Sequence, residues 1–267
     1  MSSSDQVKNF YGLSKLPFSK GLSVNELFQA DTLVEAVNRL EIAAENEEAA
    51  LLTGTSGIGK SNIIRYFVNQ IDTQKYRTVY VSAGNIKIGE LAKRSLAGLG
   101  FPVPFQGAQA LRKFRDTVID FHASKNLKVI LIIDEAQELS VETLSGLKSL
   151  LNYQMDNANL LFLLLCGHIT IADTLKMIPL ESINRRIRIR YESAPLSLQE
   201  TASYIYHHLK ICGLKKNIFS DDAMACVYQN SRGLPSEINR LCFDAVIYAA
   251  SKSKDIIEKS VIEGLHV

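Results

Sequence analysis

AALLTGTSGIGKS, residues 49–61, is the stretch on which the fold turns. A short apolar run, AALLTG (49–54), has the length of a buried strand and ends in glycine. GTSGIGKS (54–61) fits the pattern G-x-x-x-x-G-K-[ST], and KSNIIRYFVNQI (60–71) continues with helical spacing. A strand, a glycine-rich turn and a helix in that order make a phosphate cradle. The glycines let backbone amides curl around an anion, and the helix N-terminus adds its dipole. The predicted binding set is Gly54, Thr55, Ser56, Gly57, Ile58, Gly59, Lys60, Ser61 and Asn62. Lys60 is placed to reach the β- and γ-phosphates of ATP, and the Ser61 hydroxyl to ligate Mg²⁺. From average composition the bare pattern arises in roughly one chain of this length in a hundred, and its flanking elements make it rarer still.

A second stretch completes the chemistry. In VILIIDEAQEL (129–139) an apolar strand runs into Asp134 and Glu135. Open α/β sheets bind ligands at that end of their strands. Asp134 is predicted to hold Mg²⁺ through its water shell, and Glu135 to polarise a water for attack on the γ-phosphate. Together the two motifs describe a site that hydrolyses a nucleotide rather than merely binding one.

The remaining sequence supplies the frame. TVYVSA (78–83), VILII (129–133) and LLFLLLC (160–166) read as strands, separated by helical stretches at 85–99, 108–124 and 141–155. Strands apolar on both faces that alternate with helices predict a parallel α/β sheet covered on both sides. After Pro195 the pattern changes to amphipathic helices at 197–212, 220–231 and 236–252, with a fourth near 255–263. The expected domains are an N-terminal arm or linker over 1–29, a nucleotide-binding core over 30–193 and a helical lid over 194–267. A net charge of +2 imposes no global attraction to nucleic acid, so any such binding must come from local patches. MSSSDQVKNF lacks the apolar core of a signal peptide, and the apolar runs are too short to span a bilayer. No membrane partner is expected. Cys166, Cys212, Cys226 and Cys242 show no close-paired metal spacing and read as reduced, packed thiols of a cytoplasmic protein.

FYGLSKLPF (10–18), GTSGIGKS, IIDEAQEL and SRGLPSEINRLC (231–242) together resemble the AAA+ ATPases of the ExeA (general secretion pathway protein A) type. That group is similar to the transposon helper ATPases related to TniB, TnsC and MuB. The resemblance implies a five-stranded core, a helical lid, and ATP held between subunits of a homo-oligomeric ring or filament. It also implies a γ-phosphate sensor after LLFLLLC. Here that position holds His168, which can donate one hydrogen bond. The family's lid motif is Gly-x-Pro-Arg; this chain has Gly233, Leu234, Pro235 and Ser236, so the lid arginine is missing. Pro235 remains a candidate nucleotide contact, with Arg240 or Arg232 as substitutes for the absent arginine.

INRRIRIRY (183–191) concentrates four arginines in nine residues. The period of two puts Ile187 and Ile189 on one face of a strand and Arg186, Arg188 and Arg190 on the other. By the resemblance, Arg186 enters the neighbouring subunit's ATP site, where a trans arginine is worth about three to five decades in rate. Arg188 and Arg190 read as the solvated face of an edge strand. Lys87, Lys93, Arg94, Arg112, Lys113 and Arg115 lie between the second and third strands, the region that in similar helpers faces duplex DNA. The expectation is a slow ATPase, stimulated by assembly, DNA or a partner, that assembles on duplex DNA and directs a DDE-type transposase to its target. The alternatives are an ExeA-like secretion ATPase and a nucleotide-switched regulator. ExeA-like proteins continue into a membrane segment and a wall-binding region, and a chain ending at Val267 without them favours the transposon helper.

Overall fold

The computed structural model describes residues 3–153, 159–214 and 216–265. The chain forms two compact units: residues 32–56 with 63–193, and residues 3–31 with 57–62 and 194–265.

The first unit is built on five parallel strands: β1 (Ala49–Thr53), β2 (Tyr76–Ser82), β3 (Lys128–Asp134), β4 (Leu161–Gly167) and β5 (Ile187–Glu192). Their order across the sheet is β2-β3-β4-β1-β5. The apolar runs earn this position through period two. Val129, Leu131 and Ile133 of β3 enter one hydrophobic cluster with Leu161, Leu163 and Leu165 of β4. Ile130 and Ile132 enter a second cluster with Phe162, Leu164 and Cys166. Each face of the sheet thus has its own core, and truncating a side chain such as Leu131 to alanine costs about 2–5 kcal/mol.

Helix α2 (Asp31–Glu45) precedes β1, and α3 (Lys60–Gln70), α4 (Ile88–Gly98) and α5 (Gly107–Lys125) follow the expected positions with shifted ends. Gly89 and Gly107 let α4 and α5 meet at their first turns, since a Cβ on Gly89 would lie 2.7 Å from Gly107 Cα. The helix expected over 141–155 is instead two pieces, α6 (Val141–Gly146) and α7 (Lys148–Leu151), and residues 154–158 lie outside the described residues. Gly146 packs against Ile88, where a Cβ would approach Ile88 Cβ to 3.3 Å. Short helices α8 (Thr170–Thr174) and α9 (Glu181–Arg186) lead into β5.

One expectation for β5 fails. Its register against β1 shifts between Ala49 and Ala50. Ile187 therefore packs into the first cluster, whereas Ile189 and Tyr191 pack with the second. The isoleucines do not share one face. Arg188 and Arg190 are exposed on this edge strand as expected, with Arg190 donating to Asn184 O and Oδ1 at 2.9 and 2.6 Å.

The second unit gathers α1 (Ser3–Tyr11), α10 (Leu198–Lys210), α11 (Asp221–Ser231), α12 (Pro235–Ser251) and α13 (Lys259–Gly264). Ser197 caps α10 by accepting from Glu200 N at 3.2 Å, while Glu200 Oε2 accepts from Ser197 N at 2.8 Å. Pro235 opens α12 at a position where no N–H is needed. The residues expected as an arm are part of this unit's core. Val7, Leu13 and Phe18 are buried with Ile205, Leu209 and Val246, and Ser14 N donates to Cys212 O at 2.9 Å. The four cysteines are free thiols and buried.

Candidate nucleotide site

The phosphate loop leaves the carboxyl end of β1, and Thr53 there is paired with Gly167 at the same end of β4. Asp134 ends β3 on the far side of β4, so about 10 Å, two strand spacings, separate the Gly54 end of the loop from the acidic pair. Gly57 and Gly59 take φ of +80° and +105°, a conformation that L side chains rarely adopt. Ile58 is buried between them and anchors the loop, and Asn62 N donates to Gly59 O at 2.9 Å. Lys60 is the first residue of α3, with Ser61 exposed beside it. Thr55 and Ser56 are exposed and Gly54 is buried.

Asp134 is buried at 5% exposure. Its Oδ2 accepts from the Tyr80 hydroxyl at 2.8 Å, and its Oδ1 accepts from Glu135 N at 2.9 Å. Tyr80 lies outside both sequence motifs, although period two carries its signal. Ser82 is paired with Asp134, and Tyr80 lies two residues earlier on that face of β2. Burial, followed by the Asp134 carboxylate, pushes the Tyr80 phenol well above its ordinary range, so it stays a donor.

Glu135 is exposed and holds φ of +55°, the left-handed region uncommon for a residue with a side chain. Glu135 Oε2 accepts from Gln137 Nε2 at 2.7 Å, and Gln137 Oε1 accepts from His168 N at 2.8 Å. His168 follows β4, with Nδ1 3.4 Å from Thr170 N and 3.2 Å from Thr170 Oγ1. Accepting at Nδ1 leaves Nε2 as the donor nitrogen.

The donor set suits the expected ligands. Two glycines in the left-handed region and a helix N-terminus fit phosphates, and the Ser61 hydroxyl and the Asp134 carboxylate are each hard oxygen donors of the kind Mg²⁺ takes.

The lid-motif residues lie in the second unit. Gly233 has φ of +74°, and a Cβ there would lie 2.0 Å from Leu196 O. Ser236 N donates to Gly57 O at 3.2 Å, so the residue at the missing arginine's position touches the tip of the phosphate loop. Arg240 is engaged elsewhere: its Nε and Nη2 meet Glu237 Oε2 at 3.0 and 2.9 Å. Arg232 caps α11 in the left-handed conformation.

Arg186 ends α9 immediately before β5. Because the sheet is parallel, this is the amino end of the strands, opposite the edge that carries Gly54 and Asp134. Among the basic residues between β2 and β3, Arg94 donates to Ser82 O at 3.3 Å and Lys113 to Pro102 O at 2.8 Å. Arg115 donates to Asn152 O at 2.8 Å, and Lys93 lies 3.9 Å from Glu90. Lys87 and Arg112 are exposed.

A five-stranded parallel sheet, a phosphate loop after one strand and an acidic pair after another give the chain the α/β architecture of an AAA-type P-loop fold. Residues 43–175 match the family model described as an AAA domain. Over 250 residues, 91% of the chain, it is 29% identical to general secretion pathway protein A of Aeromonas hydrophila. The chain spans 45% of that protein's length. Solved structures share the fold at lower identity. Cdc6p from Pyrobaculum aerophilum superposes with a TM-score of 0.68 at 18% identity, over 90% of this chain and 67% of that one. Drosophila ORC bound to DNA gives 0.67 at 14% identity, over 100% and 66%. The RuvB Holliday junction branch migration motor of Thermotoga maritima gives 0.59 at 18%, over 92% and 72%. Among the described residues no helix is long and apolar enough to cross a membrane.

Proposed function

We propose that this chain hydrolyses ATP at the 54–61 loop and does so as an oligomer. The placement of Arg186 carries the second half of this reading. A residue at the amino end of β5 is separated from its own phosphate loop by the length of a strand, about 20 Å. It serves a phosphate only by reaching into an adjacent copy. Backbone amides of the loop and Lys60 hold the phosphates, Ser61 and Asp134 hold Mg²⁺, and His168 contacts the γ-phosphate. Mg²⁺, when bound, offsets the charge of the β- and γ-oxygens. Glu135 orients the attacking water and takes up its proton at a carboxylate oxygen.

Two outputs of this cycle are supported by different observations. The similarity to general secretion pathway protein A, across 91% of the chain, favours a secretion-type ATPase whose turnover drives an envelope assembly. The exposed Lys87 and Arg112, and fold relatives that act on DNA, support a transposition helper that coats duplex DNA and recruits a transposase. The ion pairs of Lys93 and Arg94 with Glu90 do not oppose DNA. Exposed pairs are worth about 0–1 kcal/mol, and a phosphate displaces them. Binding of a labelled duplex with a non-hydrolysable ATP analogue separates the two. A transposition helper binds cooperatively, with little sequence preference and a steep loss with salt. Indifference to duplex at low salt leaves the secretion-type reading.

A further inference from the structure

The acidic motif and the sensor strand are joined by a side chain that neither reading uses. Gln137 sits half-buried in the turn after β3, and its amide spans two elements. His168 N–H can only donate, so the amide oxygen must face it, at 2.8 Å. The amide nitrogen is thereby turned toward Glu135, where it donates to Oε2 at 2.7 Å. The orientation of the amide is thus fixed by its partners.

Gly167 provides an independent sign that this bridge is built in. A Cβ on Gly167 would lie 2.4 Å from Gln137 Oε1 and 3.2 Å from Ala136 N. A side chain at the end of β4 would therefore push the Gln137 amide oxygen from its place, although the backbone there has no left-handed φ. Gln also fits the task by elimination. Glu lacks the donor for Glu135, Asn is one methylene shorter, and Leu has neither function.

We propose that Gln137 is a positioning residue that ties the Glu135 carboxylate to the His168 backbone. The position of β4's end then sets the aim of the water-orienting group. An exposed glutamate otherwise samples several rotamers, and only a fraction of them point at a given water. The bridge selects one. It also links sensing to chemistry: a shift of the His168 segment toward a γ-phosphate moves the amide oxygen's anchor, and the amide carries Glu135 with it.

The inference rests on Glu135 as the water-orienting residue, so the experiment begins there, with steady-state ATP turnover of the full chain. Normal turnover by Glu135→Gln removes the underlying reading, whatever Gln137 does. With Glu135→Gln inactive, Gln137→Ala is expected to lower kcat about tenfold while KM for ATP stays within about twofold. Gln137→Glu, isosteric and able to accept from His168 N–H, places a second carboxylate against Glu135. Its kcat is expected to fall at least as far as that of Gln137→Ala, since the anchor on His168 is kept while the donor to Glu135 is lost. Gly167→Ala displaces the amide, and its loss of kcat is expected not to add to that of Gln137→Ala. Wild-type kcat in folded Gln137→Ala or Gln137→Glu, or additive losses in the double variant, would each overturn the proposal.

Discussion

Tyr80→Phe isolates a single hydrogen bond at the acidic motif. The phenol donates to Asp134 Oδ2 at 2.8 Å, and Asp134 is 5% exposed. A hydrogen bond to a charged acceptor is worth about 1.5–3 kcal/mol. Tyr80 is 55% exposed, so water partly replaces the lost donor and the lower end applies. About 1.5 kcal/mol corresponds to roughly tenfold in an equilibrium constant. Since the bond orients the carboxylate proposed to hold Mg²⁺, the loss is expected in metal affinity, in line with the ~10–100-fold effects of outer-shell partners. ATP turnover measured against Mg²⁺ concentration should show half-saturation raised about tenfold, with kcat recovered at high Mg²⁺. An unchanged half-saturation, or a kcat that Mg²⁺ does not restore, refutes the assignment of Tyr80 as the orienting partner of Asp134.

Glu135→Gln is expected to keep ATP and Mg²⁺ binding and to lose turnover, whereas Lys60→Ala weakens nucleotide binding itself; fluorescent-nucleotide titration beside an ATPase assay distinguishes them. Mixing Arg186→Ala with Lys60→Ala subunits should restore activity that neither has alone, because a hybrid interface pairs an intact arginine with an intact loop, and no rescue between assembled variants would count against a trans role. His208 is buried, stacked on Phe18 at 5.1 Å and tilted against Tyr204 at 4.4 Å. Burial first, then His207 and Lys15, lowers its pKa from 6.5 to about 4. The unfolded chain takes up this proton more readily than the folded one, so the stabilisation is complete above pH 6.5 and is lost as pH falls toward 4. Between pH 7 and 5 it amounts to about 2 kcal/mol. Urea denaturation of His208→Phe should show a correspondingly weaker pH dependence than the native chain.

The elements that the sequence displays best are those whose packing is local. β3 and β4 are legible because both faces are buried, and the phosphate loop because Gly57 and Gly59 must take conformations closed to other residues. What escapes is set by contacts between distant segments. Gly146 meets Ile88 beside the break at Leu147, and the face of Ile187 follows from a register shift against β1. Leu13 and Phe18 carry no helical or strand period, so nothing local announces that they are core. Gln137 reads as one polar residue of a motif until Gly167 and His168 stand beside it. Tyr80 was readable from its parity with Ser82, given the pairing of β2 with β3.

The second unit is discontinuous along the chain, and this bears on its birth at the ribosome. Its first 31 residues emerge before the sheet, while the helices that bury Val7, Leu13 and Phe18 are translated only after residue 193. At about 5–20 residues per second, the opening segment waits on the order of ten to thirty seconds for its partners. During that interval its apolar side chains face solvent or a chaperone, while the sheet has all five of its strands once Glu192 has emerged. The tie between Tyr11 and Lys254 O at 2.8 Å is among the last to close. Within this stretch the two outer segments mature together, and the middle matures first.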